Sequence, residues 1–307
     1  MYAEFYGLTQ NPFDLTPDPA FFWPMPCHEE ALATLWYGLQ QRKGFIVITG
    51  EVGTGKTLLL RCLLRGLSRQ QAQVSYIFNP RLTALEFLHY MAADFGVGGR
   101  RSKSELLWEL NRWLITNHNK GSMSVLIVDE AHLLDWDVLE EIRLLTNLET
   151  AQHKLIQIVL SGQPELQEKL DRSELRQLKQ RIVFQTKLLP MTEAQTCSYI
   201  WQRLQKAGMS VPEAVFPKSI CGTVFRLSGG IPRLINTICE NALISGFARQ
   251  VTTVTTDIIR ESAEDCGLSS SDVTTVDGWP AEHERDSRHC RTASVSSNAN
   301  LRTKVFP

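Results

Sequence analysis

The sequence predicts an α/β fold in which helices flank a parallel sheet and a small all-helical domain follows. Three observations carry this prediction. Short apolar runs recur between longer stretches of helical character: Phe45–Thr49, Val74–Phe78, Ser124–Val128, Leu155–Leu160 and Ile182–Phe184. That alternation suits parallel strands joined by crossover helices. The first run leads directly into a glycine-rich loop and then an unbroken helical stretch. From Thr192 onward only helical periodicity remains. A chain of 307 residues is long enough for one such α/β domain and a second, smaller one. The predicted boundaries are 1–190 for the α/β domain with its lead-in, 191–268 for the helical domain, and 269–307 for a Ser/Thr-rich, aperiodic tail that reads as disordered.

In the lead-in, Phe5, Tyr6, Phe13, Phe21, Phe22 and Trp23 interleave with Pro12, Pro17, Pro19, Pro24 and Pro26. This is too apolar for a free tail and reads as an extended segment laid on a domain surface, either beside a base-binding pocket or as plain packing. A helix follows from His28 to Gln41, with Leu32, Leu35, Trp36 and Leu39 on one face.

The loop Gly50-Glu51-Val52-Gly53-Thr54-Gly55-Lys56-Thr57 fits the phosphate-loop pattern G-x-x-x-x-G-K-T. It stands where the chemistry requires it, between a buried strand and a helix N-terminus. Glycines let the backbone close around a phosphate, N–H groups point inward, and the helix dipole adds positive potential. The candidate nucleotide-binding residues are Gly50, Glu51, Val52, Gly53, Thr54, Gly55, Lys56, Thr57 and Leu58. Lys56 is suited to the β- and γ-phosphates and Thr57 to Mg²⁺.

Next come the strand Val74–Phe78, a helix from Thr83 to Phe95, and the loop Gly98-Gly99-Arg100-Arg101-Ser102-Lys103 before a helix from Glu105 to His118. The loop is basic, and reads as solvated surface or as a contact for DNA or an acidic partner. The strand Ser124–Val128 ends in Asp129-Glu130. Downstream of a phosphate loop this pair supplies a metal carboxylate, Asp129, and a carboxylate that orients the attacking water, Glu130. His132 reads as a turn or packing residue. A helix spans Val138 to Leu148, and the strand from Leu155 ends in Ser161-Gly162-Gln163. Ligands lie beyond the carboxyl ends of parallel strands, so Ser161 and Gln163 are candidates to sense the γ-phosphate or hold the water, or else to cap the next helix.

Arg172, Arg176, Lys179 and Arg181 cluster ahead of the last predicted strand, Ile182–Phe184. One or two of these arginines suit an ATP held by a neighbouring subunit; the alternative is a solvated helix face. The helical domain reads as helices from Thr192, over Pro217–Leu227, Ile231–Ser245 and Thr256–Cys266. Arg233 starts one of them at a sharp turn, where a cation can swing over phosphates if this domain closes.

Composition narrows the function. A net charge of −1 gives no global electrostatic case for nucleic acid. Seven cysteines, an odd number without a C-x-x-C pair, read as buried thiols in a reducing compartment. The N-terminus lacks the features of a signal peptide, and no apolar run approaches the ~18 residues of a membrane span. The expected location is cytoplasmic, with the inner membrane reached through partners.

In combination these residues resemble an AAA+ ATPase, and more narrowly the secretion ATPases of the ExeA/GspA type and the related MshM-type ATPases of pilus biogenesis. The resemblance covers about residues 1–266. It is carried by Tyr6-Gly7-Leu8, Asn11-Pro12-Phe13, the phosphate loop, Leu144–Thr150, Gly162–Leu166, Leu175–Ile182 and Gly230–Asn236. It implies ATP and Mg²⁺ as ligands, Lys56 and Thr57 as Walker A residues, and Asp129 and Glu130 as the Walker B pair. It further implies Gln163 near the first sensor, Arg233 as the second sensor, and Arg181 or Arg176 as the arginine finger. Homo-oligomers and secretion or pilus machinery are the implied partners. The ExeA type continues into a transmembrane segment and a peptidoglycan-binding domain that have no counterpart in this sequence, which favours the shorter MshM-like arrangement. The same branch resembles transposition regulators that assemble on DNA, so DNA is a second candidate partner.

Overall fold

The continuous apolar runs become the inner strands of one parallel sheet. The computed structural model describes residues 1–16, 21–23, 25–99 and 102–268. The proposed tail, with Trp279 and Cys290, lies outside the described residues, as do Arg100 and Arg101 of the basic loop. The described residues form two compact units, one within Pro24–Leu189 and one that joins those up to Trp23 with those from Pro190 to Leu268.

After a single helical turn, α1 (Tyr2–Phe5), the α/β unit begins with α2 (Pro26–Gln40), β1 (Phe45–Gly50) and α3 (Lys56–Arg69). It continues with β2 (Gln73–Ile77), α4 (Ala84–Asp94), α5 (Lys103–Asn119), β3 (Ser124–Val128), a 3-10 turn (Ala131–Leu133) and α6 (Trp136–Leu145). It closes with β4 (Gln157–Gly162), α7 (Pro164–Leu170), α8 (Arg176–Lys179) and β5 (Phe184–Leu188). The strands lie in the order β2-β3-β4-β1-β5, and every pairing is parallel.

Every residue of β1, β3 and β4 is buried, because helices cover both faces. Phe45 and Val47 join Leu126, Val128, Ile158 and Leu160 in the core beneath α4, α5 and α6. Ile46 and Ile48, out of phase by one residue, are buried on the opposite face, where α2 and α3 contact β1. Reciprocal capping boxes start α4 (Thr83 with Glu86) and α5 (Ser102 with Glu105), each worth about 1 kcal/mol. Lys103 of the basic loop is the first residue of α5 and pairs with Glu141.

Two strands depart from the sequence prediction. Leu155 and Ile156 are buried but precede β4, which runs on to Gly162. The last strand is Phe184–Leu188 rather than Ile182–Phe184. As a sheet edge it alternates between half-buried and exposed positions, so it lacks the apolar run that marks an inner strand.

The helical unit contains α9 (Glu193–Lys206), α10 (Pro212–Val215), α11 (Lys218–Ser228), α12 (Pro232–Ala248) and α13 (Thr256–Asp265). A capping box of Thr192 and Gln195 starts α9. Residues 1–23, expected with the α/β domain, belong to this unit instead. Tyr2 and Asn11 both donate to Glu240 Oε1 (2.8 and 2.9 Å), and Thr9 N and Oγ1 donate to Ala207 O (2.8 and 2.9 Å). The buried guanidinium of Arg203 donates to Pro12 O and to Tyr199 Oη, and lies over the Phe21 ring. Phe13, fully buried, meets Phe216 edge-on at 6.0 Å. Aromatics that sequence reading spread over a surface are this small unit's core. Among the described residues Cys62, Cys197, Cys221 and Cys239 are buried free thiols, as expected, whereas Cys27 and Cys266 are half-buried.

Candidate nucleotide site

The loop Gly50–Thr57 leaves the carboxyl end of β1 and runs into the amino end of α3, so the unpaired N–H groups of the first helical turn face its interior. Thr54 Oγ1 donates to Glu51 O (2.8 Å) and braces the loop, while Val52 at its tip is exposed. Gly55 has φ +99°, and a Cβ there would lie 3.0 Å from His28 Nε2. Any side chain would meet a strained backbone and an imidazole together. Lys56 is buried, and its Nζ donates to Gly50 O (2.7 Å) and Glu51 O (2.9 Å). Burial lowers its pKa, and the carboxylates of Glu130, Asp129, Glu51 and Glu165 oppose that shift. Leu58 continues the helix, half-buried.

His28 was missed in the sequence. Its Nε2 lies 3.0 Å from Thr54 O. A carbonyl only accepts, so the ring proton is assigned to Nε2, and α2 thereby anchors the phosphate loop. Burial lowers the His28 pKa from 6.5, against the pull of the Thr54 carbonyl. The unfolded chain therefore binds more protons as pH falls, so this stability is whole above pH 6.5 and is lost as pH drops through the folded value. His28→Gln keeps a donor but does not title with pH, so its thermal midpoint should fall less steeply below pH 6.5 than that of the wild type. The same pH dependence in both proteins would show that burial does not lower the His28 pKa.

Strand order builds the second half of the site. β4 lies between β1 and β3, so the phosphate loop and Asp129 flank its carboxyl end. Asp129 is buried and accepts four hydrogen bonds: from Thr57 Oγ1 (2.8 Å) and Tyr76 Oη (3.2 Å) at Oδ2, and from Ser161 Oγ (3.0 Å) and Glu130 N (3.0 Å) at Oδ1. Ser161, expected to sense phosphate, hold water or cap a helix, donates here to the Asp129 carboxylate. Burial raises the Tyr76 pKa, and Asp129 raises it further, so the phenol stays a donor. Tyr76 looked like an ordinary strand residue, and only the pairing of β2 with β3 reveals its role.

Glu130 adopts a left-handed backbone (φ 51°, ψ 35°), at a cost of about 1–2 kcal/mol for a residue with a Cβ. That turn brings its carboxylate within 3.5 Å of both His132 Nδ1 and Gln163 Nε2. Thr57 and Asp129 offer oxygen donors 2.8 Å apart, a set that fits a hard divalent cation. Among the described residues no group of three His, Cys, Asp or Glu side chains could hold a metal.

Within the α/β unit, Arg176 and Arg181 lie elsewhere. Arg176 lines a concavity of about 490 Å³ with Asp171, Arg172, Ser173, Lys179 and Gln180. Arg181 donates to Asn147 Oδ1 (2.9 Å) and precedes β5, at the amino ends of the strands, where Val183 N donates to Phe45 O (2.9 Å). The phosphate loop leaves from the opposite ends. Arg233 is exposed in the first turn of α12, in the helical unit.

Comparison with known proteins agrees with this geometry. Residues 39–170 match the AAA domain family. Over 251 residues, 81% of the chain, the sequence is 47% identical to general secretion pathway protein A of Aeromonas hydrophila, and it spans 45% of that protein's length. Among solved structures, Cdc6p of Pyrobaculum aerophilum has a TM-score of 0.63 at 19% identity, covering 88% of this chain and 74% of that one. The Aeropyrum pernix ORC1 protein in complex with DNA has 0.62 at 18% identity, covering 84% and 69%. The Thermotoga maritima RuvB branch migration motor has 0.51 at 17% identity, covering 79% and 70%. At these identities the likeness to the solved structures is one of fold. The phosphate loop and the Asp129-Glu130 strand end fall within the stretch that matches the AAA domain family, and most of the chain is similar in sequence to general secretion pathway protein A.

Proposed function

We propose that this chain is a Mg²⁺-dependent ATP hydrolase whose nucleotide cycle drives assembly or remodelling of a secretion or type IV pilus-like apparatus. The observation that carries the chemistry is the 2.8 Å contact between Thr57 and Asp129, which joins the phosphate loop to the strand end bearing Glu130. Lys56 and the loop N–H groups hold the phosphates. Thr57 and Asp129 would hold the metal, which would supply charge neutralisation for the phosphates. Glu130 orients the attacking water and draws off its proton, and Gln163 stands beside it at the end of β4. A second copy supplies an arginine, Arg181 or Arg176, to the charge that develops on the γ-phosphate, and Arg233 responds to that phosphate from the helical unit. The 47% identity to a secretion protein supports the process served. The described residues contain no helix long and apolar enough to cross a membrane.

Phosphate release by the purified chain, measured with Mg²⁺, with a chelator, and with or without duplex DNA, tests this. Turnover should require Mg²⁺ and ignore DNA. ATP binding without turnover would refute the hydrolase reading, and turnover stimulated by DNA would move the protein to the DNA-associated class.

A further inference from the structure

Glu130, His132 and Gln163 close a triangle at the carboxyl ends of β3 and β4. His132 Nδ1 and Gln163 Nε2 each lie 3.5 Å from Glu130 Oε2, and Gln163 Nε2 lies 3.1 Å from His132 Nε2. An amide NH₂ only donates, so His132 Nε2 accepts and the ring proton is assigned to Nδ1, facing the carboxylate. The Gln163 backbone N–H is also directed at Nδ1 over 3.5 Å, a contact that competes with this tautomer. One carboxylate oxygen thus faces two donors. Both contacts are long for N–H···O bonds, so each is weak, and neither would hold a free side chain in place.

The ring, however, is firmly held. The His132 side chain is 12% exposed, against 38% for Glu130. Lys169 Nζ, reaching over from α7, donates to His132 O (2.7 Å) and Leu134 O (2.8 Å) and clamps the 3-10 turn. Gly162 lets the turn sit close: a Cβ there would lie 3.1 Å from His132 N. A fixed ring beside a more exposed carboxylate on a left-handed backbone is an arrangement that sets direction rather than binding strength.

We propose that His132 is a positioning residue for Glu130. It fixes the direction in which the carboxylate meets the attacking water, and it links that carboxylate to Gln163, so that the end of β4 and the water-orienting group act as one unit. This rests on the hydrolase reading above. A residue that merely filled the turn would change stability and leave the chemical step alone.

The test combines His132→Ala, His132→Asn and Gln163→Ala with the double variant H132A/Q163A. His132→Ala should lower kcat roughly 10- to 100-fold, the scale of a small misplacement of a reacting group, with KM and the Kd for a fluorescent ATP analogue within about twofold of wild type. His132→Asn places an amide nitrogen near the Nδ1 position and should recover most of kcat; its smaller change at the turn also keeps the test valid if the alanine variant folds poorly. The double variant should be no slower than the slower single one, because the two residues serve a single carboxylate. Losses that multiply, an asparagine variant no faster than alanine, or an unchanged kcat would each overturn the role of His132. Wild-type turnover is measured first: its absence would overturn the hydrolase reading itself, whereas wild-type turnover with multiplicative losses would overturn only the role of His132.

Discussion

Replacing Glu130 by glutamine is expected to stop ATP turnover while ATP still binds. The amide has the same shape as the carboxylate, so the left-handed backbone and the Lys169 clamp on the neighbouring turn are kept. What disappears is the group that polarises water, and loss of a positioned base costs on the order of 10²–10⁴ in rate. Binding rests on other parts: the loop N–H groups, Lys56 and Thr57. The exchange also removes the carboxylate that acts most strongly on the Lys56 ammonium, and with it a negative charge close to where phosphates bind. Affinity for a fluorescent ATP analogue should therefore hold or rise while phosphate release falls to background. Wild-type turnover in Glu130→Gln would remove this residue from the mechanism.

The second large effect concerns the arginines. Arg181 stands at the amino ends of the strands, and the phosphate loop leaves from the carboxyl ends. Its contact with Asn147 is exposed and adds little to stability. Arg181→Ala should thus fold and bind ATP as wild type does but hydrolyse it slowly; a trans arginine is worth on the order of 10³–10⁵ in the GTPases where it is best measured. Lys56→Ala has the opposite defect, an intact arginine beside a disabled loop. Mixing the two inactive variants should restore turnover, because Arg181 of one copy then serves the intact loop of the other. No restoration at any ratio would exclude trans action by Arg181, and the same mixing with Arg176→Ala identifies which arginine acts.

The sequence was legible where burial or chemistry leaves a continuous signature. β1, β3 and β4 are covered on both faces, so they read as unbroken apolar runs. β5 is an edge, where Gln185 and Lys187 face solvent, and its polar half hid it. Lys56, Thr57, Asp129 and Glu130 stand in contiguous motifs and read directly as candidates. His28, Tyr76 and Lys169 were not, because each reaches the site from an element that only the three-dimensional order of helices and strands brings there. His132 lay in plain view beside the motif and read as a turn residue. It is that, but its ring also faces Glu130 and Gln163, which no spacing rule encodes.

The placement of the first 23 residues with the helices that follow Pro190 makes the α/β unit an insertion between two parts of one smaller unit. On a ribosome, Phe13 emerges about 200 residues before Phe216, the ring it packs against. At roughly 5–20 residues per second, the N-terminal aromatics stay without their partners for some 10–40 s while the whole nucleotide-binding unit is synthesised and can already fold. Birth order thus separates the two units in time: the phosphate loop can form around its ligand before the unit carrying Arg233 exists.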